Sequence, residues 1–523
     1  VSLARRAHSA IGAAWPEGAP GYLLLGLLLT GTALRVIAIF SWWPVTTTLG
    51  DNYEAYTANP FDNPLHPAGY STIMTAVGLV TREVAVLVFL QHLSGIAAAL
   101  LLWAATRRIT GSAWPGLLPA GIVLLDPDFI FLEHSIMSES WFLLAISAGL
   151  YAAARALDDP APYWRWPLLT GVALSLAVTI RSAALLLIPV AILALLLCRP
   201  WSSGSHSLYL RSAVGVFSVA LVMLLGFATA NATFGQRFAL GASPGWYLYA
   251  RAAQFADCAK FNPPPGTDVL CEDRPASERQ GTRYYSFDPG APGPDHFGNF
   301  GNDDDRVGQW ARRAILAQPG DYLENVWANL RGYWLPGLRP KDSTLSTDPW
   351  EVDQGLDPQL AFTNGLSDSG DFRPLPDSSH AAGRRTASSD LGFAIGLTEG
   401  SYRRSLEGFF NGFTPHLHPA GLEFLGGWQR IARFGATALS IATILTLLGL
   451  AFGTRRSRIG VLLFGIGGLT LLVAPSLTAN YWGRYTVPLA GPLMAGAAIA
   501  IAGFWSSRRR SPEATDRPSQ SSA

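Results

Sequence analysis

The chain has 523 residues, 49% of them apolar and only 14% charged. Soluble domains carry about 25% charged residues, so this deficit excludes an ordinary soluble enzyme and places much of the mass in lipid. A formal net charge of +1 supplies no basic footprint for a nucleic acid, and none is expected as a partner.

A helix needs about 20 apolar residues to cross the hydrocarbon core. Apolar runs fall at 22–42, 84–105, 114–126, 137–154, 167–180, 182–198, 213–230, 434–452, 459–477 and 486–505. The first continues to Trp43. It is too long for the core of a signal peptide and lacks a small-residue cleavage site after it, so it reads as a retained helix. The run at 114–126 is short enough to be a buried or re-entrant helix. The stretch 168–198 is too long for one span and carries Arg181 near its middle. A charge at mid-bilayer is costly, so a hairpin turning at Arg181-Ser182 is expected.

Arginines near the helix ends set the orientation. Arg5 and Arg6, Arg107 and Arg108, Arg155 and Arg165, Arg199 and Arg211, Arg455, Arg456 and Arg458, and Arg508 to Arg510 all fall on one side if there are ten spans. That side is read as cytoplasmic, with both termini inside a plasma (inner) membrane and 511–523 a disordered polar tail. The expected organisation is an all-α polytopic membrane protein: a core over 1–230, an extracytoplasmic loop or small domain over 231–433, and closing helices over 434–510. Membrane lipids surround it, and a monomer or weak oligomer is expected. Within the outer region, helical patterns appear at 306–317, 321–333 and 400–411, whereas 365–392 reads as loop. Cys258 and Cys271 lie on this side and are expected to form a disulfide, as an oxidising compartment allows. Cys198 lies at the opposite face as a free thiol.

The outer loops hold the unusual chemistry. In the first loop, 43–83, Asp51 and Glu54 would share one side of a helix; a helix cap is the plainer role for Asp51. The second loop carries Asp126, Asp128, Glu133, His134 and Glu139. Carboxylates with a histidine suit a divalent cation, held by Asp128, Glu133 and His134, and carboxylates also orient sugar hydroxyls. The plainer alternative has Asp126 and Asp128 capping the next helix and Glu139 pairing with Arg181 or Arg484. Arg181, Arg484 and His66 form a basic set suited to a phosphate, because a guanidinium fork makes paired charged bonds. Tyr485 beside Arg484 fits either that site or an interfacial aromatic belt. In the outer region, the rings of Trp246 and Tyr249 suit stacking on an acceptor sugar; the alternative is a packed cap. No nucleotide-binding fingerprint stands in a credible context. The energy must then come from an activated substrate on the outer face. No organic cofactor is called for, and a divalent cation is the one cofactor left open.

Taken in order, the basic start, the Asp51 loop, the His66-Pro67-Ala68-Gly69-Tyr70 turn, the 132–139 segment, the Arg181 turn and Arg484-Tyr485 with Pro488 resemble the GT-C superfamily of integral membrane glycosyltransferases. The closest likeness is to the branch using polyprenyl-phosphate sugars, which includes protein mannosyltransferases, aminoarabinose transferases and actinobacterial arabinofuranosyl and mannosyl transferases. The resemblance implies a GT-C-like fold and a polyprenyl-phosphate-linked sugar as donor, arabinofuranose or mannose. It implies a cell-envelope glycan, lipid or protein as acceptor. Asp51 matches the catalytic aspartate of the first loop. Many relatives place two acids side by side there, whereas here Asp51-Asn52 leaves Glu54 offset, so which acid is the base stays open. One base and direct displacement would invert the anomeric centre. An outer-leaflet lipid-phosphate phosphatase or phosphotransferase would use the same arginines. A lipid transporter should show internal repeats, which the chain does not display, and a non-catalytic scaffold would tolerate loss of Asp51.

Overall fold

The computed structural model describes residues 17–41, 53–158, 164–198, 206–235, 237–241, 243–335, 418–478 and 483–508. Asp51, the 365–392 and 400–411 segments and the 511–523 tail lie outside them. Every regular element among the described residues is helical.

The apolar runs become helices because each satisfies its backbone polar groups internally, as hydrocarbon demands. In chain order these are α1 (Ala19–Ser41), α2 (Gly69–Gly78), α3 (Val84–Thr110), α4 (Leu117–Leu125), α5 (Pro127–His134), α6 (Glu139–Asp158), α7 (Arg165–Ile180), α8 (Leu187–Leu197) and α9 (His206–Phe234). The stretch read from the sequence as the outer region supplies α10 (Pro244–Ala252), α11 (Thr282–Phe287), α12 (Pro292–Phe297), α13 (Asp304–Ala317) and α14 (Pro319–Trp334). The chain closes with α15 (Pro419–Ala432), α16 (Ala436–Phe452), α17 (Arg455–Thr478) and α18 (Thr486–Arg508). Seven stretches are long and apolar enough to cross a membrane: α1, α3, α6, α9, 423–452, α17 and α18. The remaining three expected runs are shorter helices. α4 has 9 residues, and α7 and α8 are separated at Arg181 by a 3-10 turn, Ser182–Leu186, where the hairpin was expected.

Helix ends follow local chemistry. Gly111 stops α3 in the left-handed region at φ 72°, its N–H closing on the Arg107 carbonyl at 2.8 Å; a glycine takes that conformation without a Cβ clash. α5 starts where Asp126 accepts the Asp128 N–H at 2.9 Å and Pro127 occupies the first turn, the capping arrangement of a new helix.

The helices pack α3 on α6, α6 on α7, α7 on α9 and α16 on α18 around one apolar core that includes Leu102, Leu143, Leu150, Leu174 and Leu493. The two ends of this bundle differ. At one end Arg108 pairs with Asp158 at 3.1 Å, Arg456 donates to the Arg108 carbonyl and to Asp158, and Arg455 donates to the Leu197 carbonyl. These are the ends the arginine pattern assigned to one side. α6 has 20 residues, so Glu139 at its start lies about 30 Å from Asp158, at the other end of the bundle.

The outer segment is a packed unit with its own core: Trp246, Tyr249, Tyr285 and Trp310 close around one another, joined by Leu65 from the first loop. Asp304 caps α10 from another helix, accepting from the Gly245 and Trp246 N–H groups at 3.0 and 2.8 Å, and pairs with Arg237. Burial pushes the Asp304 carboxyl above the usual aspartate range, against the pull of these N–H groups and of Arg237. The unit is tied to the bundle by Tyr247 Oη to the Leu65 carbonyl (2.7 Å), Tyr322 Oη to the Leu477 carbonyl (3.0 Å) and Trp334 Nε1 to Thr443 Oγ1 (2.9 Å).

Cys258 and Cys271 form the expected disulfide, with Cα atoms 5.9 Å apart, and Cys198 is a buried free thiol. Closing such a loop restricts the unfolded chain, so Cys258→Ser is expected to cost the outer unit about 2–4 kcal/mol. Limited proteolysis with and without reductant checks this; equal protease resistance in both conditions would show that the bridge adds nothing.

Candidate active site

The site is built at the end of the bundle where α6 begins. Tyr53, in the 3-10 turn Tyr53–Tyr56, is fully buried. Its hydroxyl shares a 3.0 Å hydrogen bond with Ser138 Oγ, and its ring stacks on His66 at 4.8 Å and meets Tyr70 edge-on at 4.7 Å. Ser138 Oγ also accepts from Arg181 Nε at 2.7 Å, while Arg181 Nη2 donates to Glu139 Oε1 at 2.6 Å. Arg484, on the 3-10 turn Gly483–Tyr485, brings its Nε to 3.9 Å from the same Glu139 oxygen. Both guanidinium carbons lie 6.0 Å from the Tyr485 ring centroid, within range of an attractive contact with the ring face.

The expected residues Arg181, Arg484, Tyr485, Glu139 and His66 therefore meet in one place, although they come from four separate segments. Arg181 reaches it because the hairpin puts it between α7 and the 3-10 turn. Glu54 lies in the turn that carries Tyr53. Asp51 falls just before it, outside the described residues.

The second-loop acids separate. Asp128 Oδ2 accepts from Arg433 Nε at 2.9 Å, and Asp126 accepts the Phe434 N–H at 2.8 Å. Their role is to cap α5 and fasten it to the segment joining α15 to α16. Glu133 instead points into the bundle, where Arg35 Nε and Nη2 grip its two oxygens at 2.7 and 2.8 Å and His92 Nδ1 lies 2.9 Å away. His134 Nδ1 faces His92 Nε2 at 3.2 Å. The expected cation set of Asp128, Glu133 and His134 is thus corrected. Five helical steps turn Asp128 and Glu133 about 140° apart, and each carboxylate meets an arginine. Among the described residues no group of three or more His, Cys, Asp or Glu could hold a metal ion.

Trp246 and Tyr249 require a second correction. Both are 0% exposed, with their rings packed edge-on 5.9 Å apart inside the outer core, so neither face is open to a sugar. Trp246 also donates from Nε1 to the Asn302 carbonyl at 2.6 Å. Trp246→Ala is therefore expected to cost about 3–5 kcal/mol of stability. A thermal unfolding scan checks it, and an unchanged midpoint would contradict the packing.

Arg35, Gln91 and His92 were not singled out from the sequence. Arg35 interrupts an apolar run, and an ionisable residue inside a span is itself a signal. Gly95 on α3 makes room for this cluster, since a Cβ there would lie 1.7 Å from Glu133 Oε1. Gln91 ties the cluster to the site: its Nε2 donates to the Glu133 and Ser135 carbonyls at 2.8 and 2.7 Å, and Tyr70 Oη donates to its Oε1.

Residues 80–238 match the family model for dolichyl-phosphate-mannose-protein mannosyltransferase. Two structures of the oligosaccharyltransferase of Archaeoglobus fulgidus also align, each at 13% identity over 95% of this chain and 52% of theirs. One is the apo form, with a TM-score of 0.39; the other is AglB in complex with an inhibitory peptide and a dolichol-phosphate, with a TM-score of 0.41. This chain spans about half the length of those structures. No curated protein matches it. The matched segment runs from just before α3 to just past α9, less than a third of the chain, and it is this segment that is similar to the dolichyl-phosphate-mannose-protein mannosyltransferase family.

Proposed function

We propose that the chain moves a sugar, mannose or arabinofuranose, from a polyprenyl-phosphate donor to a glycan, lipid or protein acceptor of the cell envelope. The reaction takes place on the extracytoplasmic face of the plasma membrane. The observation that carries this reading is the meeting of Arg181 and Arg484 at one carboxylate oxygen of Glu139, about 30 Å along α6 from the arginine-rich end.

Two guanidinium forks from different segments suit a phosphate that approaches with its lipid tail in the bilayer. They stabilise the negative charge that develops on the leaving polyprenyl phosphate. Asp51 takes the proton of the acceptor hydroxyl as that oxygen bonds to the anomeric carbon and the bond to the phosphate oxygen breaks. A single displacement of this kind inverts the anomeric centre. Glu54, one turn on, is the second candidate base, and it would be the nucleophile in a retaining route. Ser138, which links Tyr53 to Arg181, sets the first loop against the phosphate site.

The reading is tested with purified protein and labelled polyprenyl-phosphate mannose or polyprenyl-phosphate arabinofuranose. Release of polyprenyl phosphate with neither donor would sink it. Arg484→Ala is expected to weaken donor binding: loss of a hydrogen bond to a charged group costs about 1.5–3 kcal/mol, or roughly tenfold to a hundredfold. Unchanged binding would assign Arg484 to structure alone. A cysteine at exposed Ser277 should react with an impermeant reagent in intact cells. Labelling only after permeabilisation would reverse the sidedness.

A further inference from the structure

Glu139 uses only half of its carboxylate on the arginines. Oε1 accepts from Arg181 at 2.6 Å and lies 3.9 Å from Arg484 Nε. Oε2 is buried and has no hydrogen-bond partner among the described residues, in a side chain 3% exposed. A carboxylate oxygen withdrawn from water and given no donor is costly, and native structures leave few such atoms unexplained. Its neighbour Ser138 cannot serve, because that hydroxyl is engaged with Tyr53 and Arg181. The remaining acceptor capacity lies beside the point where the two guanidinium groups meet.

We propose that Glu139 Oε2 receives the hydroxyl on the carbon next to the anomeric centre of the donor sugar. This rests on the reading of Arg181 and Arg484 as the phosphate site. In a sugar 1-phosphate ester, the hydroxyl at C2 is the ring's nearest hydrogen-bond donor to the phosphate. A phosphate held by the two arginines therefore delivers that hydroxyl to the carboxylate that already orients them. Oε1 positions the forks, and Oε2 reads the sugar. The consequence is a substrate class: the donor carries a free hydroxyl at C2. Sugars that are 2-deoxy, or that carry a 2-acetamido group in its place, are poor donors. Mannose and arabinofuranose both satisfy this rule.

The experiment compares binding of polyprenyl phosphate, polyprenyl-phosphate mannose and polyprenyl-phosphate arabinofuranose, with the 2-deoxy counterpart of each donor, to wild-type protein and to Glu139→Gln. In the wild type, the better-bound donor should lose about tenfold in affinity when its C2 hydroxyl is removed, the scale of one charge-assisted hydrogen bond. In Glu139→Gln this discrimination should shrink to about twofold, each donor being read against its own 2-deoxy counterpart so that any common change in phosphate affinity, as the arginines lose a charged partner, cancels. Equal wild-type affinity for the 2-deoxy and parent donors would overturn the proposal, and this arm needs no variant to fold. Equal weakening of all ligands in Glu139→Gln would also overturn it, leaving Glu139 a positioning residue for the arginines. Failure of wild-type protein to bind even sugar-free polyprenyl phosphate is a different result, which removes the phosphate site itself.

Discussion

Arg35→Ala is expected to destabilise the membrane bundle by about 3–5 kcal/mol, because it leaves Glu133 as a buried charge without its main partner. The pair lies between α1 and α5, with Arg35 and Glu133 2% and 1% exposed. Arg35 also donates from Nη1 to the Gly31 and Leu124 carbonyls at 2.9 and 2.8 Å and from Nη2 to the Val123 carbonyl at 3.1 Å. One guanidinium therefore fastens α1, the end of α4 and α5 together. Removing it withdraws a side-chain donor from three carbonyls and leaves the carboxylate with His92 alone. Thermal unfolding in detergent measures the loss. The double variant Arg35→Leu with Glu133→Leu should recover much of it, since no charge is then stranded. If the double variant is as unstable as the single, the cost lies in the carbonyl contacts rather than in the ion pair. Activity should fall with stability, because Gln91 connects the Glu133 carbonyl to Tyr70 and so to Tyr53.

Asp51→Asn should reduce turnover by about 10²–10⁴-fold, the usual contribution of a positioned base, while donor binding stays near wild type. The amide keeps the size of the side chain and removes its basicity. In the proposed site the phosphate is held by Arg181 and Arg484, on other segments, so binding and chemistry should separate in this variant. Single-turnover measurements with a labelled donor make the distinction. Near-normal turnover would exclude Asp51 as the base, and Glu54→Gln should then be the inactive variant.

What could be read along the chain and what could not divides by range of interaction. Apolar runs are local, and a backbone in lipid has few options other than a helix, so all ten runs appear as helices in order. The Arg181 turn was legible because a lone charge in an overlong apolar stretch has one cheap solution. The disulfide was legible because its two cysteines stand 13 residues apart in one outer segment. The partners of the charged residues were not legible. Asp128 bonds to Arg433 across 305 residues, and Arg35 to Glu133 across 98; no periodicity within α1 or α5 encodes either pairing. The same holds for the rings of Trp246 and Tyr249. An aromatic segment near a membrane face looks alike whether it meets a sugar or a core, and only the packing of Trp310, Tyr285 and Leu65 against it decided for the core. The sequence alone determined a polytopic helical protein with most arginines at one face and its loop acids, Arg181 and Arg484 assigned to the other. The tertiary structure decided which of them form a site, because a charge withdrawn from water is stable only beside a partner, and that partner is chosen by the fold.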